Sequence, residues 1–149
     1  MKQQMTNEEY LNQIETLTRR ITYRREQLLR LRLEAESVSS RWKDLSGVGG
    51  GTPSGEASYV RMLERIEAKE EELKGEEDLL FRLREQAEQA IELLPTEQMR
   101  LVLLYRYLEG KNYVQIARLM YVTRCSVMNW KAEAIELLSL PESPINIYQ

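Results

Sequence analysis

The residues whose types and spacing suit chemistry lie together, from Lys111 through the stretch NYVQIARLMYVTRCSVMNWKAEAI. Arg124, Cys125, Ser126, Met128 and Asn129 fall within two turns of one expected helix, on its outer side. Arginine pairs with guanine through two donors, asparagine pairs with adenine, and a methionine side chain meets a thymine methyl, so this set is the candidate for contacts to DNA base edges. Lys111, Arg118, Thr123 and Lys131 surround it and are the candidates for phosphate contacts, supported by the positive ends of two helices. The alternative is that these are solvated charges on a unit that docks on another protein.

Other chemistry is poorly supplied. The chain has no histidine and one cysteine, so the usual zinc-ligand sets and an internal disulfide are both unavailable. The commonest general base is missing too, and no cluster of catalytic residue types stands at workable spacing. No enzyme activity, metal or cofactor is expected. Cys125 at a helix start fits either a redox-sensing thiol or an ordinary half-exposed cysteine. The glycines of SGVGGGTPSG lack the following lysine and preceding strand of a phosphate-cradling loop.

Short capped helices must position the candidate residues. After Pro95, Thr96 can cap a helix with Met99, Val102, Leu103, Tyr107 and Leu108 inward, ended by Gly110 in a left-handed conformation. Asn112 with Gln115 makes a capping box for a second helix, with Ile116, Ala117 and Met120 inward. Thr123 caps a third, over 123–138, with Val127, Trp130, Ala134, Ile135 and Leu138 inward and Pro141 beyond. Ala117 and Val127 stand where the steep crossing of a helix-turn-helix needs a small and a branched residue. Between them, Tyr121 takes the place where glycine usually adopts the left-handed conformation, at some cost in strain. The tail PESPINIYQ either docks Ile145 and Ile147 on this domain or hangs free.

Ahead of this unit the pattern is long and helical. Thr6 and Glu9 form a capping box. Tyr10, Ile14, Leu17, Ile21, Leu28, Leu31, Ala35, Val38, Trp42 and Leu45 then recur at alternating steps of four and three, broken only by Arg24. A second seam runs from Tyr59 through Met62, Ile66, Leu73, Leu80, Leu83, Ala87 and Ala90 to Leu94, broken by Lys69 and Glu76. The glycine-rich interruption over 46–57 reads as a loop that returns the chain on itself. The expected register pairs Leu45 with Tyr59, Trp42 with Met62, Val38 with Ile66, Leu31 with Leu73, Ile21 with Leu83 and Leu17 with Ala87. It also brings Arg24 near Glu76 for an ion pair that fixes alignment more than it stabilises.

Charge supports the pairing, at +3 from Tyr10 to Leu45 and −6 from Glu56 to Leu94. Leu29, Leu33, Leu63, Leu79 and Phe81 lie off the seam and call for a second covered surface, most simply a homodimer. Gly75 inside the second helix reads as a tolerated exposed glycine or a hinge. From Pro95 to Gln149 the net charge is only +1, a weak electrostatic footprint for a lone DNA reader.

The segment from Leu94 to Leu138 resembles region 4 of bacterial sigma-70 factors through Leu94-Pro95, Arg106-Tyr107, Glu109-Gly110, Ile116-Ala117, Thr123, Val127 and Ala134-Ile135. The layout as a whole is similar to phage and prophage transcription regulators of the ArpU and RinA kind. Departures are Tyr121 for glycine, Gln115 where the family often has glutamate, and the absence of sigma region 2. The resemblance implies an activator or accessory regulator that binds double-stranded DNA and works with RNA polymerase.

The expected architecture is all-α. A long antiparallel helical hairpin, or coiled coil, over 6–94 precedes a tri-helical helix-turn-helix over 95–140 and a tail over 141–149. The opening MKQQMTNEEY holds no signal-peptide core, and no stretch is long enough to span a bilayer, so a cytoplasmic location and no membrane partner are expected. Two alternatives to a regulator stay open: a helical adaptor that docks on RNA polymerase or a DNA-packaging component without reading bases, and a packaging recognition subunit in a ring.

Overall fold

The structure, a computed structural model, describes residues 4–45 and 53–149. All its regular elements are helical: α1 (Asn7–Leu45), α2 (Pro53–Glu92), α3 (Glu97–Leu103) running into a π-helical turn (Leu104–Leu108), α4 (Tyr113–Met120) and α5 (Arg124–Leu137). The expected all-α class holds. No helix among the described residues is long and apolar enough to cross a membrane.

The chain divides into two compact units: Arg19–Asp78, and Met1–Thr18 with Leu79–Gln149. The division does not fall at Pro95, where the sequence pattern changes. Roughly the first three turns of α1 and the last turns of α2 belong with the short helices. The reason lies in residues the seam does not use: Leu11, Gln13 and Ile91 are buried as completely as their seam neighbours Tyr10, Ile14 and Leu17. A helix buried on more than one face needs more than one partner.

In the Arg19–Asp78 unit, Leu28, Ala35, Ile66 and Leu73 form the buried seam. The expected ion pair is present: Arg24 Nε lies 2.9 Å from Glu76 Oε2, and a second arm of Arg24 reaches Glu72 at 3.0 Å. Arg20 joins at 3.6 Å, so the acidic break in one helix is answered by two arginines from the other. Arg25–Glu77 and Arg32–Glu70 pairs and a Lys69–Gln27 hydrogen bond line the flanks. These crossing pairs correct the expected register. They fit a pairing in which Leu31 stands level with Ile66 and Arg24 level with Leu73, one heptad away from the expected Leu31–Leu73 match. A shift of one heptad leaves seam on seam, so periodicity alone cannot tell the two registers apart.

The start of α2 decides between them. Residues 53–57, expected to belong to the loop, are helical, with Pro53 as the first helical residue. That position suits proline, whose missing N–H would have no partner there and whose φ is already helical. The shorter connection moves the midpoint of the turn towards the N-terminus and the register with it. The rest of the glycine-rich segment, 46–52, and the Trp42 and Leu45 side chains lie outside the described residues. Leu29, Leu33 and Leu63 are exposed, as their off-seam positions require, and a Cβ at Gly75 would meet nothing within 4 Å.

In the other unit, the Thr6–Glu9 capping box forms with bonds of 3.1 and 3.3 Å. Its core holds Tyr10, Leu11, Ile14, Leu17, Leu83, Ala87 and Ile91, with Val102, Leu103, Ile116 and Val127 from the short helices. The tail is docked. The buried Gln13 amide donates to Ile145 O at 2.9 Å and accepts from Ile147 N at 2.8 Å, while Gln86 brackets the same segment by accepting from Ile145 N and donating to Ser143 O. Ile147 is buried and Ile145 half-buried. Asn7 donates 2.7 Å bonds to the carbonyls of both Ile135 and Leu138, closing the C-terminal end of α5.

Candidate nucleic-acid interface

The short helices form by the caps their sequence carries. Thr96 accepts from Met99 N, Asn112 and Gln115 exchange both bonds of a capping box, and Thr123 accepts from Ser126 N. After α3 the chain underwinds into the wider π-helical turn, with Glu109 N bonded to Leu104 O, before Gly110 at φ 69° turns it into α4. Helix α5 packs on α3 and α4. Ile116, Ala117, Val102 and Val127 make the crossing core, with Tyr105, Tyr113, Met120, Val122 and Trp130 packed against it. Ala117 and Val127 thus take the small and branched roles expected of them.

The turn between α4 and α5 is a Schellman closure. Tyr121 N bonds to Arg118 O and Val122 N to Ala117 O, and Tyr121 sits at φ 57°, ψ 43°. It is the one non-glycine residue with positive φ among those described. A tyrosine in this conformation costs on the order of 1 kcal/mol relative to a relaxed backbone. Its ring gains nothing from the protein in return, being 95% exposed.

On α5, Arg124, Cys125, Met128 and Asn129 are exposed and Ser126 is half-buried, so the candidate base-contact residues share an open surface. Met128 is 46% exposed, and Cys125 is a free thiol. Ser126 and Thr123 are engaged with each other, their hydroxyls 3.0 Å apart, with Thr123 also holding the cap.

The four phosphate-contact candidates separate into two kinds. Arg118 and Thr123 are exposed, and the Arg118 guanidinium has no hydrogen bond or ion pair among the described residues; the same is true of Arg124. Lys131 is different. Its ammonium donates to Tyr113 Oη at 2.7 Å, sits over the same ring and lies 3.9 Å from Glu8. Burial alone would lower the basicity of Lys131, but the Tyr113 hydroxyl together with Tyr107 and Glu8 raises it. Lys131 therefore serves the packing of α5, and its spacing alone did not disclose that. Lys111 is half-buried, its backbone tied to Tyr105 O and to the Arg106 guanidinium, which stacks over Tyr113 from 5.2 Å. Tyr113, ringed by two cations, is the organising residue that the sequence pattern missed. Its place three residues before Ile116 on an expected inner face was the available signal.

Electrostatics are more concentrated than the +1 of the C-terminal third conveys. From Gly110 to Ala132 the sequence contains no aspartate or glutamate and four lysines or arginines, in a chain of net charge −3. That acid-free stretch spans α4, the turn and the exposed first turns of α5. Among the described residues no group of carboxylates, cysteines or histidines stands close enough to hold a metal. No protein-family model, curated protein or solved structure matches the chain.

Proposed function

We propose that this protein is a sequence-specific DNA-binding transcription regulator, encoded by a phage or prophage, that lays α5 in the major groove and dimerises through the long helices. The observation that carries this reading is the coincidence of exposed Arg124, Cys125, Met128 and Asn129 on one helix with a 23-residue stretch free of acidic side chains. A helix presented this way meets a polyanion without repulsion and offers donors to base edges. The positive N-terminal end of α5 adds to it.

The test is an Arg124→Ala, Asn129→Ala double variant with fragments selected from random duplex DNA by the full-length protein. Specific retardation is abolished while the helical circular-dichroism signal stays; unchanged binding overturns the proposal. Affinity for DNA also falls steeply with added salt as counterions are released. Self-association is supported by the exposed Leu29, Leu33 and Leu63, which a second copy covers. A Leu29→Glu, Leu63→Glu variant sediments as a monomer where the parent sediments as a dimer, and a parent that is itself monomeric removes this part of the proposal.

A second reading, a helical adaptor docking on RNA polymerase or a DNA-packaging component, is favoured by one observation. Val114 and Leu119 on α4 and Leu137 on α5 are exposed apolar residues in the same unit. Binding to polymerase that is insensitive to salt, with no retention of DNA, favours it.

A further inference from the structure

We infer that Tyr121 is a contact to the DNA backbone, its phenolic hydroxyl donating to a phosphate oxygen at the edge of the groove that α5 enters. The inference rests on the DNA-binding reading above. Three features of the residue converge on it. The backbone there adopts the left-handed conformation that glycine takes freely and a β-carbon resists, so a tyrosine is the costlier occupant. The cap is closed by its backbone alone, and 95% exposure leaves the side chain no part in the core. The two Schellman hydrogen bonds, at 3.3 and 3.0 Å, hold the backbone rigidly, so the direction in which the side chain leaves the turn is fixed before any partner arrives.

The surroundings specify the partner as an anion. Arg118 stands three residues before Tyr121 and Arg124 three residues after, both exposed and without a partner among the described residues. Arg124 and Cys125 open α5 and contribute N–H groups of its first turn. No carboxylate occurs anywhere in the segment. A phenol whose chain neighbours three residues away on either side are exposed arginines, next to a helix start, is placed to donate to phosphate, and such a donor positions the reader without selecting sequence.

The experiment compares the full chain with Tyr121→Phe and Tyr121→Gly, using fluorescence anisotropy on a random-sequence duplex pool at low salt, with thermal unfolding measured on each. Both variants bind about tenfold more weakly than the parent, the loss of one hydrogen bond to a charged group. Tyr121→Gly at the same time unfolds at the same temperature as the parent or a higher one, which separates lost contact from lost fold. Parent-like affinity in either variant overturns the hydroxyl contact while leaving the DNA reading in place. A parent that fails to bind the pool at all overturns both.

Discussion

At the scale of the residue, Tyr121 and Lys131 show how a side chain's role departs from its position in a pattern. Lys131 sits where the helix-turn-helix spacing expects a phosphate contact, and Tyr121 where it expects a glycine in the turn. Lys131 instead spends its charge on Tyr113 and Glu8. Tyr121 accepts backbone strain and faces outward. Replacing it with glycine removes the strain at the cost of a more flexible unfolded chain. Tyr121→Gly is therefore expected to stabilise the protein by up to about 1 kcal/mol in urea unfolding. A measured loss well beyond about 1 kcal/mol, more than the flexibility of glycine in the unfolded chain accounts for, would show that the ring has a packing partner. The left-handed turn was legible, because the spacing from Ala117 to Val127 leaves one residue to close the Schellman bonds. The partner of Lys131 was not, because it depends on Tyr113 and Glu8, 18 and more than 100 residues away in sequence.

At the scale of the element, caps were the most readable feature and register the least. Thr6, Thr96, Asn112 and Thr123 each bond where a local rule places them, since a cap needs only residues three apart. The long helices obey a rule that repeats every seven residues, and the Arg24–Glu76 pair is within reach in either of two alignments one heptad apart. The Arg24–Glu72, Arg20–Glu76 and Lys69–Gln27 pairs and the start of α2 at Pro53 break the tie. The docking of the tail likewise turns on Gln13, a polar residue between Tyr10 and Ile14 that the seam passes over. Its amide is 1% exposed at the residue level and satisfies one donor and one acceptor of the tail backbone. Gln13→Ala leaves both tail groups without a partner and should cost about 2–3 kcal/mol in denaturant unfolding. It should also expose the peptide bonds near Ile147 to hydrogen exchange. A cost under half of that, with the tail still protected, would mean the tail is held by its isoleucines alone.

At the scale of the whole molecule, the composition sets the response to pH. With no histidine, the chain has no side chain whose ordinary pKa lies between about pH 5 and 8 apart from groups shifted there by their surroundings. The shifts that occur lie on the alkaline side. Burial pushes the Tyr10 hydroxyl, which donates to Gln86, and the Tyr107 hydroxyl above their ordinary value, and Lys131 is raised by its partners. A raised folded-state pKa means the folded state holds its proton more tightly than the unfolded chain. The stability from these groups is complete below about pH 10 and is lost as pH rises through the folded values. Thermal unfolding is expected to stay level from pH 6 to about pH 9 and to fall above about pH 10. A drop between pH 6 and 8 would point to a titrating group outside these three.

The pinned tail has a bearing on how the molecule is made. Its clasp at Gln13 and the Asn7 lock on α5 join residues more than 125 positions apart in the chain. A ribosome delivers the opening turns of α1 long before the segment that satisfies them, so the Gln13 amide waits without its partners until Ile145 and Ile147 have emerged. A chain lacking residues 143–149 would accordingly keep the buried Gln13 amide without its partners, and is expected to be degraded faster than one that carries them.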